Sequence, residues 1–406
     1  MKIWLLRSNE IMPINGNNRF MRMGMLADEL VKDSSNDVTW FCSSFDHYKK
    51  VQYFNENTTV DVSRNLHLKF VYAKGYKTNI SLRRAINHWL TARRLRKEMK
   101  NSPKPDIIVV SLPTIEFSYE ACRYGEKNNV PVIVDVRDLW PDSFKQNLQG
   151  FLRLAATPYI KTMDRKAKYT LSHCYKITSI TDLMLDWGLN KANRRKTKLD
   201  RAFYIGYRKD KIKEDIDVKD IMGNTFNLGF FATINNQFNY ELICELGKAL
   251  ENENVSIIIC GDGPKFKYFE EACRDIKSIK LLGWCESDKL RVILRKCDIG
   301  FAPYNDTFDF QRSVSNKFCE YLSCGLPIVI TSSGYMKEII DKNKVGISSS
   351  NVEEIKRFIL DLRDNPKKKK TMSTNAIDLY NKNFDADKIY PKMVKYIKEV
   401  WEEYNK

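Results

Sequence analysis

Short apolar runs alternate along this chain with longer stretches whose apolar positions recur at helical spacing. In the first half the runs of strand length are Ile3–Leu6, Val38–Cys42, Leu68–Tyr72, Ile107–Ser111, Val132–Asp135 and Lys176–Ser179. Between them lie helical patterns over Phe20–Val31, Leu82–Lys100, Glu116–Lys127 and Arg153–Thr170. Such alternation predicts βαβ units and a parallel sheet. Residues 188–222 are polar and charged without a clear period, and read as a connection. The second half repeats the pattern. Its strands are expected at Phe226–Phe231, Val255–Cys260, Ile279–Leu282, Ile299–Ala302, Ile328–Ile330 and Val345–Ser348. Its helices are expected at Tyr240–Leu250, Phe266–Arg274, Asp288–Arg295 and Asn316–Ser323, with two or three more in the tail. The expected fold is α/β: two Rossmann-like, doubly wound domains over 1–205 and 206–385. A helix at 386–406 is expected to pack back toward the first. Two such domains facing each other place a cleft at the C-terminal ends of both sheets, where ligands bind.

Charge changes this picture. Residues 1–205 carry 35 Lys and Arg against 20 Asp and Glu, so almost all of the net charge of +17 sits in the first half. That field favours an anionic partner: nucleic acid, anionic lipid or a phosphorylated substrate. Nucleic acid is disfavoured, because no nucleic-acid motif occurs and the aromatics do not interleave as a stacking platform. The helix Leu82–Lys100 sets Leu82, Ile86, Trp89 and Leu90 on one side and Arg83, Arg84, Arg93, Arg94, Arg96, Lys97 and Lys100 elsewhere. A basic amphipathic helix with Trp suits a membrane surface. The apolar stripe is expected inward and the basic side toward lipid head groups.

No apolar run is long enough to span a bilayer, and the N-terminus turns polar too soon for a secretory signal. Ten scattered cysteines without a Cys-x-x-Cys pair, and only four histidines, argue against disulfides or zinc and for a reducing cytoplasm. Asp215-Ile216-Asp217 lies in the charged stretch rather than after an apolar strand, so no metal site is expected there.

The segment Ser315–Val329 carries the most specific chemistry. Ser315 suits an N-cap, Gly325 the residue after a helix end, and Pro327 a stop. Phe318, Tyr321 and Leu322 share one helical face; Asn316, Lys317 and Glu320 lie on another. A helix N-terminus with Lys317 in its first turn suits a phosphate, and Glu320 one turn on suits the paired hydroxyls of a ribose. On spacing alone, a plain amphipathic helix with a Lys317–Glu320 surface pair remains equally open. Earlier, Glu10–Arg19 forms a loop after the first strand with Gly16, Asn17 and Asn18 as backbone and side-chain donors. Arg137, Asp138 and Trp140 end another strand, a set suited to a sugar or to a structural pair beside a packed Trp. Gly261-Asp262-Gly263-Pro264 is a turn, and Gly283-Trp284-Cys285 could flank a base or fill a core.

Together these segments resemble the retaining family 4 glycosyltransferases of GT-B fold, and within them bacterial O-antigen and capsule enzymes such as UDP-N-acetyl-L-fucosamine transferases. Arg137-Asp138-Leu139-Trp140-Pro141 and the Lys317/Glu320 segment carry the likeness. Pro13/Gly16/Arg19, Phe41–Tyr48, Gly261–Pro264 and Leu282-Gly283-Trp284 extend it. The resemblance implies an acceptor-binding first domain and a nucleotide-sugar-binding second domain. Glu320 would bind the ribose, Lys317 and the Asn316 helix end the diphosphate, and Trp284 and Cys285 the base. Gly16 and Asn17 would approach the donor phosphate. Arg312, standing where the family often has a Glu, would join Lys317. Arg137 and Asp138 would be catalytic, with His47 and Trp140 on the acceptor side. The implied reaction is retaining transfer from a UDP-sugar, without metal or cofactor, to an undecaprenyl-diphosphate-linked saccharide at an anionic membrane surface. The alternative enzyme class is a GT-B-fold UDP-sugar 2-epimerase, disfavoured by the few histidines.

Overall fold

The computed structural model describes residues 1–14, 20–78, 81–146, 148, 150–209 and 216–406, with side chains 151–153 left aside. The chain divides into two compact units. Unit 1 is Met1–Tyr204 with Asp387–Lys406, and unit 2 is Ile205–Ala386.

Unit 1 runs β1 (Lys2–Leu6), α1 (Arg22–Leu30), β2 (Asp37–Ser43), β3 (Phe45–Asp46), β4 (Val51–Gln52), β5 (Thr58–Ser63), β6 (Leu66–Val71) and α2 (Leu82–Lys100). It continues with β7 (Ile107–Leu112), α3 (Ile115–Asn128), β8 (Val132–Val136), α4 (Asp142–Gln146), α5 (Gly150–His173), β9 (Lys176–Ser179), α6 (Asp182–Ala192) and β10 (Arg201–Ala202). The main sheet has the order β10-β9-β8-β7-β1-β2-β6-β5. Its pairings are parallel except β5 with β6. Strands covered on both faces read as unbroken apolar runs, which is why β7 and β8 are Ile- and Val-rich and wholly buried.

Unit 2 runs α7 (Lys219–Met222), β11 (Phe226–Phe231), α8 (Tyr240–Leu250), β12 (Val255–Cys260), α9 (Phe266–Cys273), β13 (Ile279–Leu281), α10 (Ser287–Lys296) and β14 (Ile299–Ala302). Then come α11 (Asn316–Ser323), β15 (Ile328–Ile330), α12 (Tyr335–Asn343), β16 (Gly346–Ser348), α13 (Val352–Asp364), α14 (Pro366–Leu379) and a π-helical turn at Tyr380–Phe384. Its sheet, β13-β12-β11-β14-β15-β16, is parallel throughout. The helix α15 (Ala386–Tyr404) returns the chain to unit 1. There it buries Tyr390, Tyr396, Ile397 and Val400. The Tyr396 hydroxyl donates to the Leu199 carbonyl at 2.7 Å, and Arg201 pairs with Glu399 at 3.0 Å.

Two expectations fail. Residues 188–222 are not one connection: Asp182–Ala192 is a helix capped by the Thr181 hydroxyl, and Arg201–Ala202 adds an edge strand to the first sheet. The helix starts ahead of that stretch, with Met184 and Leu185 buried, and its last turn carries the buried Leu189 and Ala192 into it. The stripe of α2 also faces the other way. Leu82 is 77% exposed and Trp89 53%, and Ile86 is exposed too. The helix buries Asn87, His88, Thr91, Ala92, Leu95 and Met99 instead.

Candidate functional site

Each unit gathers polar side chains at the C-terminal ends of its strands. In unit 1 the centre is Glu10, four residues past β1. Its Oε1 accepts the N–H groups of Met23 and Gly24, at 2.7 and 2.9 Å, in the first turn of α1. Met21, the N-cap, makes no side-chain cap bond. Glu10 therefore satisfies the helix end from outside and puts negative charge at its positive pole. Its Oε2 accepts from Arg137 Nη1 at 2.8 Å. Arg7 lies 3.9 Å from the same carboxylate and donates to the Pro113 carbonyl.

Beneath this, Arg22 and Asp135 form a bidentate pair at 2.8 and 2.9 Å, both buried. Asp135 Oδ1 also accepts from the Thr178 hydroxyl at 2.9 Å. Burial alone would raise this carboxyl; the Arg22 charge and hydrogen bonds outweigh burial and hold it below the ordinary value. Arg22 extends to the Tyr204 carbonyl at 2.9 Å.

The adjacent Arg137 and Asp138 take different partners. Arg137 turns to Glu10, whereas Asp138 Oδ1 accepts the Leu139 N–H at 2.7 Å and the Ser143 hydroxyl at 3.2 Å. Desolvation lifts the Asp138 carboxyl above its usual range, against those two donors. His47 and Trp140, expected on one side, are joined through Tyr76 and through Arg84, which the sequence placed only on the basic side of its helix. His47 Nδ1 meets the Tyr76 hydroxyl at 2.6 Å. The Arg84 guanidinium lies 5.0 Å from the Trp140 ring centre and 5.9 Å from that of Tyr76. Burial, then the charges of Lys50 and Arg84, push His47 down to about 4.

In unit 2 the segment around α11 folds as its sequence predicts. The Ser315 hydroxyl accepts the Phe318 N–H at 3.1 Å, and Gly325 has φ +68°, a conformation glycine adopts without strain. Phe318, Tyr321 and Leu322 are buried. Glu320 is buried as well, 8% exposed, so it is not a surface residue. Its Oε1 accepts the Tyr207 hydroxyl at 3.2 Å. Asn316 stays exposed in the first turn. The Lys317 ammonium sits 5.5 Å from the Phe238 ring centre, and Phe238, Tyr304 and Phe310 stack in a row. Arg312 lies over the Phe308 ring, 3.8 Å from its centre.

The neighbouring loops approach closely. Gly261 N–H donates to the Gly283 carbonyl at 2.7 Å, and a Cβ on Gly261 would run into the Ala232 carbonyl. Glycine is required where backbones pass this near. Trp284 is 78% exposed, so it is not a core residue, whereas Cys285 is buried. Gly16 and Asn17 lie outside the described residues. Among the described residues no group of three or more His, Cys, Asp and Glu is placed to hold a metal ion. Arg7, Glu10, Arg22, Asp135, Tyr76, Arg84 and Tyr207 were missed as site residues, because each is recruited by a partner far away in sequence.

Residues 225–365 match the family model for glycosyl transferases group 1. No curated protein sequence matches the chain. Solved structures share its fold end to end. The Anabaena HepE protein in complex with UDP-glucose aligns at 14% identity and TM-score 0.67, covering 98% of this chain and 100% of its own. WaaG, a glycosyltransferase involved in lipopolysaccharide biosynthesis, aligns at 12% identity and TM-score 0.65, covering 97% and 99%. A structure described as a UDP-N-acetylglucosamine 2-epimerase from Listeria monocytogenes aligns at 15% identity and TM-score 0.61, covering 99% and 97%. At such identities the likeness is one of fold: α/β, with the parallel-sheet Rossmann-like domains of GT-B glycosyltransferases.

Proposed function

We propose that this chain, whose second unit matches the group 1 glycosyl transferase family model over residues 225–365, transfers a sugar from a UDP-sugar, with retention, to a lipid-linked saccharide. The single observation that carries this reading is where the family match falls. It covers α11, where a buried carboxylate already holds a hydroxyl group. HepE, of the same fold, was solved with UDP-glucose. Glu320 takes the ribose, Lys317 and the exposed first turn of α11 the diphosphate with Arg312, and Trp284 with Cys285 the base. The transferred group is an N-acetylated amino or deoxyamino sugar. The acceptor is an undecaprenyl-diphosphate-linked saccharide of bacterial O-antigen or capsule synthesis, reached by peripheral attachment to the inner face of the cell membrane. Arg137 and Asp138 serve the reaction, and His47 and Trp140 the acceptor.

A thermal-shift screen of UDP, GDP and ADP, followed by UDP-sugars, tests this reading. Stabilisation by UDP and its sugars above the other nucleotides is expected. Isomerisation of a UDP-sugar without acceptor would favour the epimerase, and no response to uridine nucleotides would remove both.

A further inference from the structure

Arg7 follows β1 directly and Arg137 follows β8 directly. Their backbones are still tied to the sheet: the Arg7 N–H donates to the Phe41 carbonyl at 3.1 Å and the Arg137 N–H to the Leu112 carbonyl at 2.9 Å. Only the side chains need a further anchor. Both guanidiniums approach one carboxylate oxygen, Glu10 Oε2, Arg137 at 2.8 Å and Arg7 at 3.9 Å. Two positive charges therefore share one negative charge, on a Glu10 side chain only 3% exposed. Burial, then the Arg137 charge, pushes Arg7 down to about 10.

The two arginines are not held alike. Arg7 also donates to the Asn9 and Pro113 carbonyls. Among the described residues the Arg137 side chain has one hydrogen-bond partner, Glu10. One of its N–H groups is thus fixed, and the others meet no protein acceptor there. Asp138, next in the chain, does not take the place of Glu10, because the Leu139 N–H and the Ser143 hydroxyl engage its carboxylate. Without an acceptor at Glu10, repulsion from Arg7 would turn Arg137 away. Glu10 is itself fixed, since its other oxygen accepts two N–H groups of α1.

We propose that Glu10 is a positioning residue for the transfer reaction: it ties the Arg137 guanidinium to the N-terminus of α1 and leaves the remaining N–H groups of Arg137 for the substrate. The proposal rests on the reading above, in which Arg137 serves the reaction. Glutamine separates this role from helix capping. Its amide has a single acceptor oxygen. Two α1 N–H groups compete for that oxygen against one from Arg137, so it stays with the helix. The amide NH2 then meets Arg137, donor against donor.

UDP release by the full chain from UDP-glucose and UDP-N-acetylglucosamine, with water in place of the acceptor, tests it. Glu10→Gln should lower kcat about ten-fold and Arg137→Ala about a hundred-fold. Donor KM should not move in Glu10→Gln, because in that reading the nucleotide contacts lie in unit 2. Since Glu10 acts through Arg137, the double variant should be no slower than Arg137→Ala alone. A purely structural Glu10 would multiply the two losses in the double variant, or lower Tm at full kcat in the single one; either result overturns the role. If Glu10→Gln does not fold, Glu10→Asp, which keeps the charge and withdraws it by a methylene, takes its place in the same cycle. Full kcat in Arg137→Ala overturns the proposal together with the assignment of Arg137. A wild type that binds UDP but releases none from either donor overturns the role, and one that does neither overturns the donor reading as well.

Discussion

Tyr207 donates its hydroxyl to Glu320 Oε1 at 3.2 Å, linking residues 113 positions apart. The carboxylate expected to receive a ribose is thus already matched to a hydroxyl and held out of water. Glu320→Ala should weaken UDP binding by roughly 1–3 kcal/mol, the cost of leaving buried polar partners unpaired. Tyr207→Phe should spare UDP binding or tighten it, because it frees Oε1. Isothermal titration with UDP measures both, and unchanged affinity in Glu320→Ala at an unchanged Tm would remove the ribose assignment.

The Arg22–Asp135 pair is a stability element. Asp135→Ala leaves a buried guanidinium uncompensated and should cost about 3–5 kcal/mol in denaturant unfolding. Replacing both residues by apolar ones of similar size should cost less than either single change.

Transfer should proceed without a divalent ion. The Asp-x-Asp in the sequence follows no apolar strand, and in the proposed reading Lys317 and Arg312 would supply the positive charge that a departing diphosphate needs. Activity measured in EDTA should equal activity in Mg²⁺ or Mn²⁺; loss in EDTA with rescue by either ion would contradict this.

Membrane attachment should depend on the outward side of α2. Arg84 lies over Trp140, Arg94 donates to the Tyr72 carbonyl at 2.6 Å, and Arg96 is paired with Glu120, so these three serve the fold. Arg83, Arg93, Lys97 and Lys100 are exposed beside Leu82, Ile86 and Trp89. Each cation near an anionic surface contributes about 1 kcal/mol. Binding to phosphatidylglycerol vesicles should exceed binding to neutral ones and fall with salt. It should drop when those four cations are replaced by Ser. Equal sedimentation with both vesicle types would refute the attachment.

Mild acid should destabilise unit 1 through His47. A free imidazole titrates near 6.5, whereas His47 in the fold is pushed down to about 4 by burial and by Lys50 and Arg84, against Asp46. Between those values the unfolded chain holds more protons, so stability is present above about 6.5 and is lost as pH falls toward about 4. His47→Gln should flatten that part of a melting-temperature profile.

The α11 segment was readable in the sequence because its determinants are local. A hydroxyl three residues before the amide it caps, and a glycine with positive φ after the last turn, need no distant partner. The strands of both sheets were readable for the same reason: two-sided burial leaves unbroken apolar runs. In α2, periodicity revealed a stripe but not its direction, which depends on what the sheet edge presents. The helix Asp182–Ala192 was hidden where its last turn enters the charged stretch 188–222. Glu10 and Arg137 are 127 residues apart and meet only because β1 and β8 end on the same side of one sheet. Periodicity carries no trace of that.

Unit 1 is assembled from two stretches of chain, with the whole of unit 2 inserted between them. During synthesis, residues 387–406 leave the ribosome after everything in unit 2. The first sheet is then translated early but lacks the helix that buries Tyr390, Tyr396 and Val400 against it. Unit 2, a single uninterrupted stretch, can complete itself while its predecessor is still unfinished. The order of maturation therefore inverts the order of translation, and the nascent first unit is the species a chaperone would meet with its apolar side uncovered.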